Sequence, residues 1–239
     1  MAFVGVHALA AWSHLLFIPA GYYLLLAFGL ALYLANICIA FWTAWRQQLA
    51  PLRRSQRWDV YLCFFALASI GGALLIGSRG ALLGFDVFRV PSVSMDGTLL
   101  RGDHFIANTW KFRSTAPARG EVVVFRPPQD PSTRFVMRVV GLPGDTVDIR
   151  PGQVRLNGVP LDEPYVSAGN NRGLPIGNGI VVVPANSYFI LGDNRDNSLD
   201  SRLFGPVPAA NLYASVEFIS LSYDPKDGLR TARMGMRVR

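Results

Sequence analysis

The chain has 239 residues, room for one medium domain and accessory segments, with 23 Lys and Arg against 16 Asp and Glu. Hydrophobic types make up 51% and charged types only 16%, and neither is spread evenly, which argues against a uniformly solvated globule. The formal charge of +7 does not indicate a nucleic-acid partner, because four basic residues fall in one short loop and others in the C-terminal tail RTARMGMRVR.

Residues 1–45 contain no Asp, Glu, Lys or Arg. Within them FIPAGYYLLLAFGLALYLANICIAFW (17–42) exceeds the roughly 20 apolar residues that cross a bilayer. A second uncharged run, VYLCFFALASIGGALLIGS (60–78), is close to the minimum span. A buried core helix is the competing reading for each run. A cleavable leader is not expected, since the start has no basic region and the apolar run is too long. Between the runs, residues 46–59 carry Arg46, Arg53, Arg54 and Arg57 against Asp59 alone. Short arginine-rich loops stay cytoplasmic. The expected topology is a hairpin anchor over 1–79 with everything after it outside the cell membrane. The two cysteines, Cys38 and Cys63, fall one in each run and read as small apolar residues. The histidines (His7, His14, His104) are scattered, so no metal site is expected.

From about residue 80 the texture changes to short β-type runs broken by Gly, Pro, Asn and Asp. The expected strands are 104–108, 121–126 (EVVVFR), 134–140, 146–150, 153–156, 179–183, 188–191 and 214–221. Asn157-Gly158 marks a turn. In FVMRVVGLPGD (135–145), Pro143 and Gly144 suit the two central positions of a type II turn. Many short strands and little helical periodicity predict a mostly-β domain over 80–225, a partly closed barrel or folded sheet. Residues 166–179 (VSAGNNRGLPIGNG) read as a mobile loop, and 226–239 as a solvated basic tail.

Two compact blocks hold the residues that could do chemistry. FRVPSVSMDGTLLRGD (88–103) contains Ser92 and Ser94, though isolated loop serines are usually idle. LGDNRDNSLDSRLFGPV (191–207) gathers Asp193, Asp196 and Asp200 with Arg195 and Arg202 around Ser198. Alternating oxygen donors suit a calcium ion, but the EF-hand spacing and closing Glu are missing. An Asp–Arg network formed with the block's own two arginines is the better reading.

The blocks PSVSM, RGDHFIANTW, RGEVVVFRPP, FVMRVVGLPGD and GDNRDNSLDSR, in this order and spacing, resemble the diagnostic boxes of bacterial type I signal peptidases, the membrane-anchored serine–lysine proteases. The resemblance covers residues 60–215. It implies a mostly-β head on a two-helix transmembrane hairpin, multi-pass in the bacterial inner membrane with the head periplasmic or extracellular. It also implies removal of signal peptides from exported preproteins after Ala-X-Ala, at the bilayer surface, without a cofactor. By position Ser94 matches the nucleophile, and Ser92 with the Ser94 backbone N–H the oxyanion hole. Ser198 matches the residue that orients the base, Asp193, Asp200 and Arg202 the bracing motif, and Arg138 a structural arginine. The family's general base is a lysine at the position of Met137. Methionine fills an apolar slot shaped for an unbranched stem without titrating. Losing a positioned base costs a typical factor of ~10²–10⁴. Lys111 and His104 are the remaining candidates for a base. Gly97 stands where the family usually has proline. The competing function is a non-catalytic membrane protein that binds signal peptides or a partner peptidase. A third is a relative specialised for one conjugation or pilus substrate.

Overall fold

A computed structural model describes residues 17–46, 63, 66–67, 70, 80–173 and 179–238. The chain divides into two compact units, Met1–Gly84 and Phe85–Arg239.

In the first unit, helix α1 spans Pro19–Arg46. Its stretch Pro19–Ile39 has a mean hydropathy of 1.9, and only Gly21 within it is buried. At 1.5 Å per residue, α1 is about 42 Å long, more than a bilayer's hydrocarbon thickness. Tyr22 and Tyr23 lie near one end, in an edge-to-face pair. Phe41, Trp42 and Trp45 lie near the other, where the Arg46 guanidinium sits 4.3 Å over the Trp42 ring. This is the one helix among the described residues long and apolar enough to span a membrane. The expected second span, 60–78, lies largely outside the described residues. Of it, Cys63, Ala66, Leu67 and Ile70 are helical.

The second unit is antiparallel β. A curled sheet orders its strands β1 (Phe85–Arg89), β2 (Asp103–Asn108), β11 (Leu212–Asp224), β3 (Val122–Phe125), β4 (Phe135–Gly141), β9 (Ser187–Leu191) and β10 (Val207–Pro208), with β12 (Gly228–Leu229) paired to β11. A smaller sheet runs β7 (Val159–Pro160), β6 (Gln153–Leu156), β5 (Thr146–Arg150), β8 (Gly179–Val182). Asn157 and Gly158 join β6 to β7 with φ of 51° and 83°, positive at both turn positions. The expected strands are all present. β1 was not foreseen, because FDVFR lacks clean alternation, and neither were the two-residue strands β7, β10 and β12.

The strand that leads to the Leu-Pro-Gly-Asp turn organises the head. The Asp145 N–H donates to the Leu142 carbonyl at 3.0 Å, and Gly144 has φ of 88°, as the sequence requires. Strand β4 pairs with β3 over Phe135–Arg138 and with β9 from Arg138 onward. From Met137 to Gly141 every residue is buried, so both faces of the strand are covered. Met137 and Val139 join the main core with Val123, Phe125 and Ile190. Val140 joins a second core with Val147, Phe189 and Leu191.

Two segments depart from expectation. The C-terminal tail is not a frayed cationic end. Its backbone continues the sheet, with the Ile219 N–H donating to Met236 O (2.9 Å) and Val238 N–H to Glu217 O (3.0 Å). Arg233 reaches the fully buried Asp103 at 2.7 Å and donates to the Thr98 carbonyl at 2.9 Å. Arg230 lies 3.6 Å from the same carboxylate. A carboxylate removed from water must be paired, and the tail supplies the cations. In the loop expected to be mobile, residues 166–173 are pinned. Asn170 Nδ2 donates to Asp96 O (3.0 Å), and Arg172 Nε to Asp196 (2.9 Å). Residues 174–178 lie outside the described residues.

Candidate active site

Residues 94–98 form tight turns ahead of β2. The Leu99 N–H donates to Met95 O at 2.8 Å. That helical geometry places Met95 and Leu99 on one face, and both are sunk in the main core. Ser94 is thereby held at the surface of the core, partly exposed, with Ser92 more exposed beside it. Ser92, Ser94 and Met137 line one groove of about 240 Å³. Its other walls include Val124, Phe135, Val136 and Leu199.

The block after β9 closes on this loop from behind. The Asn194 N–H donates to Ser94 O (3.0 Å) and its Nδ2 to Val93 O (3.1 Å). Ser198 is buried, with its Oγ 4.0 Å from Met137 Sδ, a contact of weak hydrogen-bond character. Gly192 sits where these parts converge. A Cβ there would lie 2.2 Å from Ser198 Oγ and 2.6 Å from Ser94 O. Gly192→Ala is therefore expected to displace both serines and destabilise the head by about 1–3 kcal/mol, the usual cost of overpacking. A melting temperature unchanged from the native chain would refute the close approach.

Arg138, one residue beyond Met137, points to the opposite face and is 1% exposed. Its Nε and Nη2 donate to the two Asp193 oxygens at 2.8 and 2.7 Å. Nη1 donates to Gly120 O (2.7 Å), Nη2 also to Thr98 Oγ1 (3.1 Å), and the guanidinium stacks 3.8 Å from the Tyr165 ring centre. Thr98 Oγ1 in turn donates to Asp193 at 2.5 Å, tying the Ser94 loop to the pair. Asp200 accepts from Arg202 Nε (2.8 Å) and Nη2 (2.9 Å) and from the Gly192 N–H (3.1 Å).

The expected pairing within the block is corrected in part. Arg202 does pair with Asp200, but Arg195 pairs with Glu163, at 2.5 Å, and Asp193 takes Arg138 instead. Asp196 pairs with Arg172. All three acids of the block thus face arginines, which is not the environment of a hard cation.

Burial, and next the neighbouring Glu163 carboxylate, push the Tyr165 phenol far above its usual range. Its hydroxyl stays a neutral donor to Glu163 at 3.0 Å. The folded state then holds a proton that the unfolded chain releases above a pKa of ~10. Stability is complete below that pH and falls as pH rises beyond it. Tyr165→Phe is expected to flatten this alkaline decline in a denaturant titration. An unchanged slope above pH 10 would argue against it.

Neither alternative base lies in the groove wall. Lys111 Nζ pairs with Glu121 (2.8 Å) and contacts Ser215 Oγ (3.3 Å). His104 is in β2, registered between Arg89 and Leu221. Gly97 has φ of 103°, a conformation closed to proline, whose ring fixes φ near −65°. Thr98, Glu163 and Tyr165 had no sequence signal, since nothing local marks a side chain whose partner is far along the chain. Asn194 and Gly192 stood inside the recognised block without a role assigned.

A protein-family profile described as "Signal peptidase, peptidase S26" matches residues 62–221, well over half of the chain. A signal peptidase I of Leptolyngbya laminosa is 40% identical over 130 residues, 52% of this chain and 62% of that protein. A probable signal peptidase I-2 of Synechocystis is 39% identical over 147 residues, 59% and 65% respectively. The chain thus spans a little under two thirds of the length of these relatives. The signal peptidase I V of Bacillus subtilis is 34% identical over 160 residues, covering 62% of this chain and 93% of that one. With both serine-bearing blocks inside the matched region, the chain belongs to the signal peptidase family, peptidase S26.

Proposed function

We propose that the chain is a membrane-anchored signal peptidase I-type protein whose groove receives the cleavage segment of exported preproteins. Ser94 is the nucleophile in this reading, and Ser92 Oγ with the Ser94 N–H stabilises the developing oxyanion. Such donors are typically worth ~10²–10³ in rate. The apolar walls suit small side chains, in keeping with cleavage after Ala-X-Ala. Residues 1–79 serve as the anchor, a hairpin whose basic loop 46–59 is cytoplasmic, and 80–225 as the outward-facing head. The observation that carries the proposal is the convergence of Ser92, Ser94 and Met137 on one groove, with Ser198 Oγ 4.0 Å from Met137 Sδ.

Met137 stands where the family resemblance puts the general base, and it cannot accept a proton. Turnover by the chain as it stands is accordingly slow. The same observation favours a second reading, a protein that holds signal peptides without cutting them. Incubation of the detergent-solubilised full chain with a radiolabelled preprotein separates the two. Slow cleavage that disappears in Ser94→Ala supports the peptidase, and capture without cleavage supports the binding protein. Neither capture nor cleavage, in the native chain or in Met137→Lys, would overturn both.

A further inference from the structure

Among the described residues, the groove wall carries two cations and no acid. Arg89 and Arg134 line it, and no described Asp or Glu does. Arg89 ends β1 with its side chain exposed, and its guanidinium has no ion-pair partner among the described residues. Arg134 is held in place, its guanidinium 4.1 Å from the Tyr213 ring centre and 5.5 Å from that of Phe88. Its Nη1 lies 3.5 Å from Asp86 Oδ2, an oxygen that also accepts from the Tyr213 hydroxyl at 3.2 Å. One carboxylate behind the wall offsets one guanidinium, so the wall keeps a net positive charge.

We propose that Arg89 and Arg134 make the groove selective for peptide segments with an Asp or Glu side chain next to the small-residue motif. This rests on the reading that the groove receives a preprotein's cleavage segment. The apolar lining of Phe88, Phe105, Val124, Phe135 and Val136 lowers the local dielectric, so charge at the rim is felt more strongly than in open solvent. A guanidinium already stacked on an aromatic ring loses little freedom when a carboxylate docks on it. A lysine at the same place is repelled, and salt weakens both effects because the rim is open to water.

The test measures binding, so it does not depend on turnover. Fluorescent peptides containing Ala-X-Ala, with Asp, Asn or Lys placed in turn at X and at the flanking residues, are titrated into the full chain in neutral detergent. At the responsive position Asp is expected to bind about three- to tenfold tighter than Asn, and Lys weaker than Asn, on the scale of one or two exposed charge pairs. The difference shrinks at high salt. It is lost in the Arg89→Gln/Arg134→Gln variant, in which Asp, Asn and Lys peptides are expected to bind alike. Arg89→Gln alone, at an exposed residue with no ion-pair partner among the described residues, removes part of the preference whether or not the double variant folds. Equal affinities for the three peptides, or a preference that survives both variants, overturn the proposal. If no peptide binds at all, the reading of the groove as a peptide site fails first. If the variants lose affinity for vesicles rich in phosphatidylglycerol while the peptide ranking is unchanged, the two arginines serve lipid headgroups and the proposal is also overturned.

Discussion

Met137→Lys is expected to raise preprotein cleavage by about 10²–10⁴ over the native chain, with the gain abolished by Ser94→Ala. The side chain is 3% exposed and lies in the core cluster with Val123 and Val139, so an introduced ammonium would be stripped of water. Desolvation favours the neutral amine, which is the form that can take the serine proton. Ser198 Oγ, now 4.0 Å from the thioether, is positioned to accept from that amine or donate to it. The chain lengths of Met and Lys are similar and both are unbranched, so the slot admits the change with little repacking. The stability consequence has a definite sign. Each unit by which burial lowers the lysine pKa costs ~1.4 kcal/mol at pH values below it, where the fold must hold the charged amine away from water. Between the lowered pKa and ~10.4 only the unfolded chain keeps the proton. Relative to the native chain, the variant should therefore melt lower near pH 7 and recover as pH rises from the lowered pKa toward ~10.4. Cleavage should climb over the same lowered pKa. A variant that melts like the native chain at pH 7 and cleaves no faster would show that the side chain swings out of the groove, and the assignment of the slot would fail.

The sequence was informative where structure is local. The Pro143-Gly144 turn and the Asn157-Gly158 hairpin follow from backbone preferences of two adjacent residues, and both form. The alternation in FVMRVV also reads correctly as a strand. It could not reveal that both faces of that strand are covered, because Arg138 looks like a solvent-facing residue until Asp193, 55 residues on, supplies its counter-charge. The same limit hid the tail. RTARMGMRVR is basic and Gly-containing, and on composition alone it should be solvated. Its order depends on Asp103 and on the Thr98 carbonyl, 135 residues away from Arg233. In the candidate site, Ser92, Ser94, Ser198 and Met137 were legible because they sit in compact blocks with a recognisable order. Thr98, Tyr165 and Glu163 were not, since each acts on Arg138, Asp193 or Arg195 from a different loop.

Arg138→Met is expected to destabilise the head by about 3–5 kcal/mol, among the largest effects available to a single substitution in this chain. The reason is the orphaned partner more than the lost attraction. Asp193 is 0% exposed and takes both of its close guanidinium contacts from Arg138. Thr98 Oγ1 would remain as a donor, but one hydroxyl does not compensate a buried carboxylate. Arg138→Lys should fare little better, because a single ammonium cannot reach Gly120 O, Thr98 Oγ1 and both Asp193 oxygens at once. Removing both charges gives the decisive comparison. Arg138→Met/Asp193→Leu eliminates the unpaired ion and should recover much of the loss, so the two single costs are expected to exceed the cost of the pair by about 0.5–3 kcal/mol. Urea melts of the four proteins measure this directly, and strictly additive costs would mean that the contact is not a coupled pair. Peptide affinity then distinguishes scaffold from positioning. The double variant restores burial but deletes the bonds through which Thr98 is tied to β4, so it should bind Ala-X-Ala peptides more weakly than its recovered stability suggests. Affinity equal to that of the native chain would show instead that Met95 and Leu99, plugged into the core, are sufficient to hold Ser94 in place.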